Sequence, residues 1–383
     1  LHKSIGLSQD RQTGFVLLLP LVFLVVGILI RFAAFRFELP DEPINRYFDE
    51  LCRWDCHWYV KMAEEGYDRF PTPNRVNAGN WAFFPFYPIF VGVVAKLVPL
   101  PTVVVGSLVS MSVAYAAVVA AWPLLGRDRK AYTLYAAFML SGPVSFYFTT
   151  FFTEVMFVLL TTLVLRFLAR SNYLAAGGFA SLLSATRIIG VFVAISMGVQ
   201  ALVDYRRQAG TWRGVIGGIL GQPKLVLAIF VAPLGLFVYM AFLHYWVGDG
   251  FAFSHTQRAW GRQFGNPFGY LWRGLTNFPD DGLRLSPSQI LALSACAGFA
   301  LTGVLAWRRQ WAAAAFAFLA IIIPLTAGLA SMLRFMAGMA PLTITLMTLL
   351  ARWNWLFVLS MIGLLLGAWF TTLAWLGGNI ALV

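Results

Sequence analysis

Charge is what this chain has least of: 11% of its 383 residues are Asp, Glu, Lys or Arg, while 60% are hydrophobic. So few charges leave no polar surface for a water-soluble fold of this length. There is no P-loop and no GxGxxG segment, so neither common nucleotide cradle is present. The first polar loop holds no DxD pair, and His57 and His244 have no metal-ligand spacing with the acids. No metal and no other cofactor is therefore expected. Cysteine is scarce as well. Cys52 and Cys56 lie one helical turn apart, poor geometry for a disulfide within a helix, and Cys296 sits in an apolar run.

What the chain does have is one long apolar run after another. Candidate spans fall at 14–35, 102–125, 131–149, 152–169, 172–186, 188–204, 224–246, 288–307, 311–330, 332–350 and 355–376, about eleven crossings of an all-α polytopic membrane protein. The first has no small-residue cleavage site behind it and is expected to stay as a helix. Residues 1–383 then form a single membrane domain. The net charge of +12 could suggest nucleic acid, but Lys and Arg are spread between the spans, which excludes that partner and points to the bilayer. The segment 82–98 carries Pro85 and Pro88. If it lies on the surface or re-enters, "GRDRK" (126–130) and Arg206, Arg207 and Arg213 all fall on the cytoplasmic side, as the positive-inside rule asks. Two large loops, 36–101 and 248–287, are then outside, and the first holds nine of the sixteen acidic residues. Long loops of this kind are where function concentrates.

Four polar residues stand where apolar ones are expected. Arg187 in "SATRIIGV" and Arg334 in "SMLRFMAG" would each cost about 2.5–3.5 kcal/mol at a helix centre. Either they snorkel, or pair with Glu154 of "FFTEVMF", or they grip the phosphate of a lipid-linked substrate, for which a planar guanidinium is suited. On the last reading Arg334→Ala lowers turnover with little loss of folded protein. The fourth is Asp55 in "RWDCHWYVKMAEEGY" (53–67). Wound as a helix, this stretch gathers Arg53, His57, Lys61 and Glu64 on one side, while Asp55 falls among Trp58, Tyr59 and Met62. A carboxylate there is either a cap or ion-pair partner, or a base able to take a proton from an incoming hydroxyl. In the second outer loop Gln257, Arg258, Trp260 and Arg262 form either an aromatic-belt loop or a lid over a sugar or phosphate. Asn80 and Trp81, in "NWAFFPFYP", belong either to a pocket wall or to a membrane anchor.

In order along the chain, "RWDCHWYVKMAEEGY", "FFPFYP", "FYFTTFFTEVMF", "SATRIIGV", "QRAWGR" and "SMLRFMAGMAPL" resemble the bacterial relatives of GPI mannosyltransferase 2, the PIG-V-like family. The resemblance implies the GT-C membrane glycosyltransferase architecture. It also implies a polyprenyl- or dolichyl-phosphate-mannose donor, inverting transfer to a glycan, glycolipid or protein hydroxyl, and a site on the outer face of a bacterial inner membrane. The Trp-Asp of the first loop supplies the family's catalytic carboxylate, which lands on Asp55. Donor phosphate binding is expected of Arg187, Arg334 and Arg262. Substrate contacts are expected of Glu154, Gln257, Trp260, Trp54, His57, Asn80 and Trp81. The rival classes are a lipid or solute transporter, where intramembrane arginines line a pathway, and a non-catalytic assembly subunit that uses the outer loops for docking.

Overall fold

The computed structural model describes residues 2–72, 78–208, 211–279 and 285–379, so parts of both expected outer loops, 73–77 and 280–284, lie outside the described residues. Every regular element among the described residues is helical. Six stretches are long and apolar enough to cross a membrane: Gln12–Glu38, Thr102–Ala121, Ile188–Arg207, Pro223–Val247, Pro287–Trp307 and Asn354–Leu376. At ~1.5 Å per residue each approaches or exceeds the ~30 Å of a hydrocarbon core.

The remaining expected spans are shorter or broken, and the breaks have local causes. The run 131–149 ends its first helix at Ser141, because Gly142 and Pro143 follow, and resumes only as the single turn Phe146–Thr149. Arg31, fully buried in the first helix, fills this break by donating to the Leu140 carbonyl at 3.2 Å and Ser145 Oγ at 2.8 Å. The run 332–350 splits at Gly338 into Met332–Ala337 and Ala340–Leu350. Glu154–Leu168, at 15 residues, lies in the interior against Thr102–Ala121 and Tyr173–Ser184. These interruptions put the ends of short helices, with their unpaired backbone groups and polar side chains, inside the fold.

The segment 82–98 forms the ten-residue helix Phe86–Ala95, about half the length a crossing needs. Its start is tied inward by the Phe86 N–H, which donates to the Ala185 carbonyl at 3.1 Å. It packs against Asp55–Glu65 at Gly92, where an added Cβ would stand 2.5 Å from the Ala63 carbonyl oxygen. That close approach fixes the Asp55-bearing helix to the body of the protein.

The expectation about the cysteines is overturned: Cys52 and Cys56 form a disulfide, with their Cα atoms 5.2 Å apart. The sequence argument assumed one helix through both residues. In fact the helix begins at Asp55, and Cys52 precedes it, following the short helix Tyr47–Leu51, so the two side chains can converge. For the same reason Arg53 does not share a helical face with His57 and Lys61.

Candidate active site

The Asp55–Glu65 helix starts with its carboxylate in the first turn, where the helix dipole favours negative charge, and stops at Gly66, whose φ of 81° a side chain would resist. Trp54 introduces it with φ 56° and ψ −115°, a backbone state costing about 1–3 kcal/mol for a residue with a Cβ. That turn points Asp55 at the Met332–Ala337 helix, and Asp55 Oδ2 lies 2.7 Å from Arg334 Nη1. Arg334 Nε stands 2.7 Å from Glu154 Oε1, an ion pair without the alignment of a hydrogen bond. Arg187 Nη1 donates to the same Glu154 oxygen at 2.5 Å. The four residues thus form one alternating chain, Asp55–Arg334–Glu154–Arg187, in which each neighbour offsets the desolvation of the last.

Burial grades along this chain. Glu154 is fully buried and its Oε2 accepts no hydrogen bond among the described residues, whereas Asp55 keeps about a fifth of its side chain accessible, 21%. Arg187 lies over the Phe335 ring at 4.8 Å from its centroid. Tyr59, one turn after Asp55, joins its hydroxyl to Thr153 Oγ1 at 3.1 Å. Burial, with the Glu154 and Asp55 charges behind it, raises the Tyr59 pKa, so its hydroxyl stays protonated and able to donate.

Above the chain of charges opens a cavity of about 770 Å³. Asp55, Arg187 and Arg334 form its polar floor. One wall is apolar, from Ile188, Phe192, Ile323, Pro324 and Phe335, and the segment 253–264 closes over the other side. Within that segment Trp260 meets Trp58 and Phe83 edge-on, with ring centroids 6.0 Å away in each case. Arg262 donates to Gln257 Oε1 and Ser331 Oγ, both at 3.3 Å, and makes no ion pair with a described residue. Burial, and then the charge of Arg334, lowers its pKa, and the Asp55 carboxylate offsets only part of this. Arg258 and His255 also line the cavity, His255 held by Asp249 at 2.7 Å.

Eight of the residues singled out in the sequence therefore converge: Asp55, Arg187, Gln257, Arg258, Trp260, Arg262 and Arg334 line the cavity and Glu154 lies beneath it. Four do not. Trp54 is exposed and outside the cavity. His57 borders a separate cavity with Asp49 and Glu64. Asn80 is buried as a clasp, accepting from the Asp68 N–H at 3.0 Å and donating to the Gly66 carbonyl at 2.9 Å. Trp81 donates through Nε1 to the Asp68 carbonyl at 2.7 Å. Sequence reasoning missed Tyr59 and Thr153. Tyr59 was legible as the i+4 neighbour of Asp55, but Thr153 carried no signal of its own. Among the described residues no three His, Cys, Asp or Glu side chains group as metal ligands. No family model, curated protein or solved structure matches the chain.

Proposed function

We propose that this chain is an inverting glycosyltransferase of GT-C architecture that moves a sugar, mannose by the family resemblance, from a polyprenyl-phosphate donor to an acceptor hydroxyl. The observation that carries the reading is a partly accessible carboxylate, Asp55, on the floor of a cavity that also presents a half-buried arginine, Arg262, held only by neutral oxygens, and an apolar wall. A lipid-linked phosphosugar needs those three things: a base for the acceptor, a cation for the phosphate and an apolar path for the chain.

In this reaction Asp55 takes the proton of the acceptor hydroxyl on Oδ1, the oxygen not paired with Arg334. The acceptor oxygen bonds to the anomeric carbon from the face opposite the phosphate. The bond from that carbon to the phosphate oxygen breaks, and the lipid phosphate leaves with the electron pair. Charge grows on the phosphate as the bond breaks, and Arg262, with Arg334 and Arg187 behind it, stabilises it there. Glu154 does not touch substrate in this scheme. It holds Arg187 and Arg334 by one shared oxygen.

About eleven crossings, with both large loops on the outer face of a bacterial inner membrane, fit the positive-inside pattern. The disulfide supports that side for the first loop, because such bonds persist in oxidising compartments. The test is transfer of labelled mannose from polyprenyl-phosphate-mannose into a membrane lipid extract by purified protein. Accumulation of labelled product is expected; intact donor at the end of the incubation would refute the reading.

A further inference from the structure

The turn that delivers Asp55 is built against the preference of its own residues. Arg53 to Cys56 form a type II′ turn, closed by the Cys56 N–H donating to the Arg53 carbonyl at 3.1 Å, with Trp54 at the position of positive φ. Glycine dominates that position because it has no Cβ to clash. A tryptophan stays there only where its surroundings over-determine the backbone. Its own ring does not do so, since Trp54 is 41% exposed and lies outside the cavity. What brackets the turn is the Cys52–Cys56 disulfide, which encloses Arg53, Trp54 and Asp55 and is buried at both sulfurs' residues.

We infer that this cross-link is a positioning element: it holds the Asp55 carboxylate against Arg334, and reducing it lets Trp54 relax and carries Asp55 away from the cavity floor. The effect on rate rests on the glycosyl-transfer reading, whereas the positioning does not. Cys52 borders a second cavity of about 240 Å³, shared with His57 and Glu64 and not with Asp55, and this is the side from which a small dithiol would approach the bond. A thiolate of the reagent attacks Cys52 Sγ, the S–S bond breaks, and Cys56 leaves and takes up a proton. The reagent's second thiolate then releases Cys52, also as a thiol. Two electrons and two protons end on the cysteines, and the reagent closes to a cyclic disulfide.

The experiment compares the full chain in three forms: the parent, C52S/C56S, and C52S/C56S with Trp54→Gly. Amide exchange over residues 53–57 reads the turn directly, and transfer kinetics with thermal unfolding in detergent read its consequence. Exchange is expected to rise in C52S/C56S and to fall back with Trp54→Gly, because glycine adopts the positive φ of this turn without strain and so removes the tendency to leave it. Turnover is expected to drop on the order of 10²-fold in C52S/C56S, the scale of a misplaced reacting group, with KM near the parent's, and to recover in the glycine variant. Should the serine variant fail to fold, dithiothreitol added to folded parent makes the same comparison. Exchange and turnover unchanged by either treatment would overturn the inference, and so would a loss that glycine does not reverse, which is how a plain stabiliser behaves. Parent protein that transfers no sugar but shows the expected exchange pattern would refute the glycosyl-transfer reading and leave the positioning in place.

Discussion

Arg262 and Arg334 face the same cavity but differ in what already surrounds them, and truncation should separate them. Arg334 has two carboxylates, Asp55 and Glu154, whereas Arg262 has two neutral oxygens. Removing Arg334 leaves two acidic groups without their shared cation, so Arg334→Ala should lose about 3–5 kcal/mol of stability. This revises the expectation, drawn from sequence, that the variant would stay folded. Arg262→Ala should instead keep or raise the thermal midpoint and weaken binding of polyprenyl phosphate roughly 10- to 100-fold, the range for a charged hydrogen bond. Titration of the lipid phosphate and unfolding in detergent check both, and parental binding by Arg262→Ala would remove it from the donor site. At this scale the sequence was informative wherever a charge stood in an apolar run, because such a charge must find a partner. Arg187, Arg334 and Glu154 stood out on that ground. Which of them share an oxygen, and that Arg31 turns inward rather than to lipid, depends on chain crossings that hydropathy does not encode.

Among the elements, the short helices decide where the site lies. Asp55–Glu65 and Phe86–Ala95 meet at Gly92, and the contact leaves no room for a side chain. Gly92→Leu should push the two apart, lower stability by about 1–3 kcal/mol and reduce turnover by more than the loss of folded protein accounts for, because Asp55 moves with its helix. Thermal unfolding measured beside turnover tests this; a stability loss with turnover unchanged in the folded fraction would detach the contact from the site. The long helices were legible from their apolar runs. Their shorter companions were not, since the run 131–149 reads as continuous until Gly142 and Pro143 are given their backbone consequences. The disulfide was misjudged for a related reason: the helix was assumed to begin before Cys52, whereas it begins at Asp55.

For the whole molecule, the all-helical membrane character followed from composition, because 60% hydrophobic residues in long runs admit few other folds. The sidedness of its loops rests on charge asymmetry and is open to direct measurement. A single reporter cysteine at Asp128, in a background with Cys296 replaced, should resist an impermeant thiol reagent applied from outside, and one at Arg69 should react; the reverse pattern would invert the topology. The central claim, that sugar transfer depends on the Asp55 carboxylate, is tested most directly by Asp55→Asn. Asparagine keeps the shape and can still accept a hydrogen bond, but it takes no proton. With purified parent and variant at saturating polyprenyl-phosphate-mannose, the account predicts a fall in turnover on the order of 10²-fold or more, with lipid-phosphate binding retained. Near-parental turnover by the folded Asp55→Asn protein would contradict it.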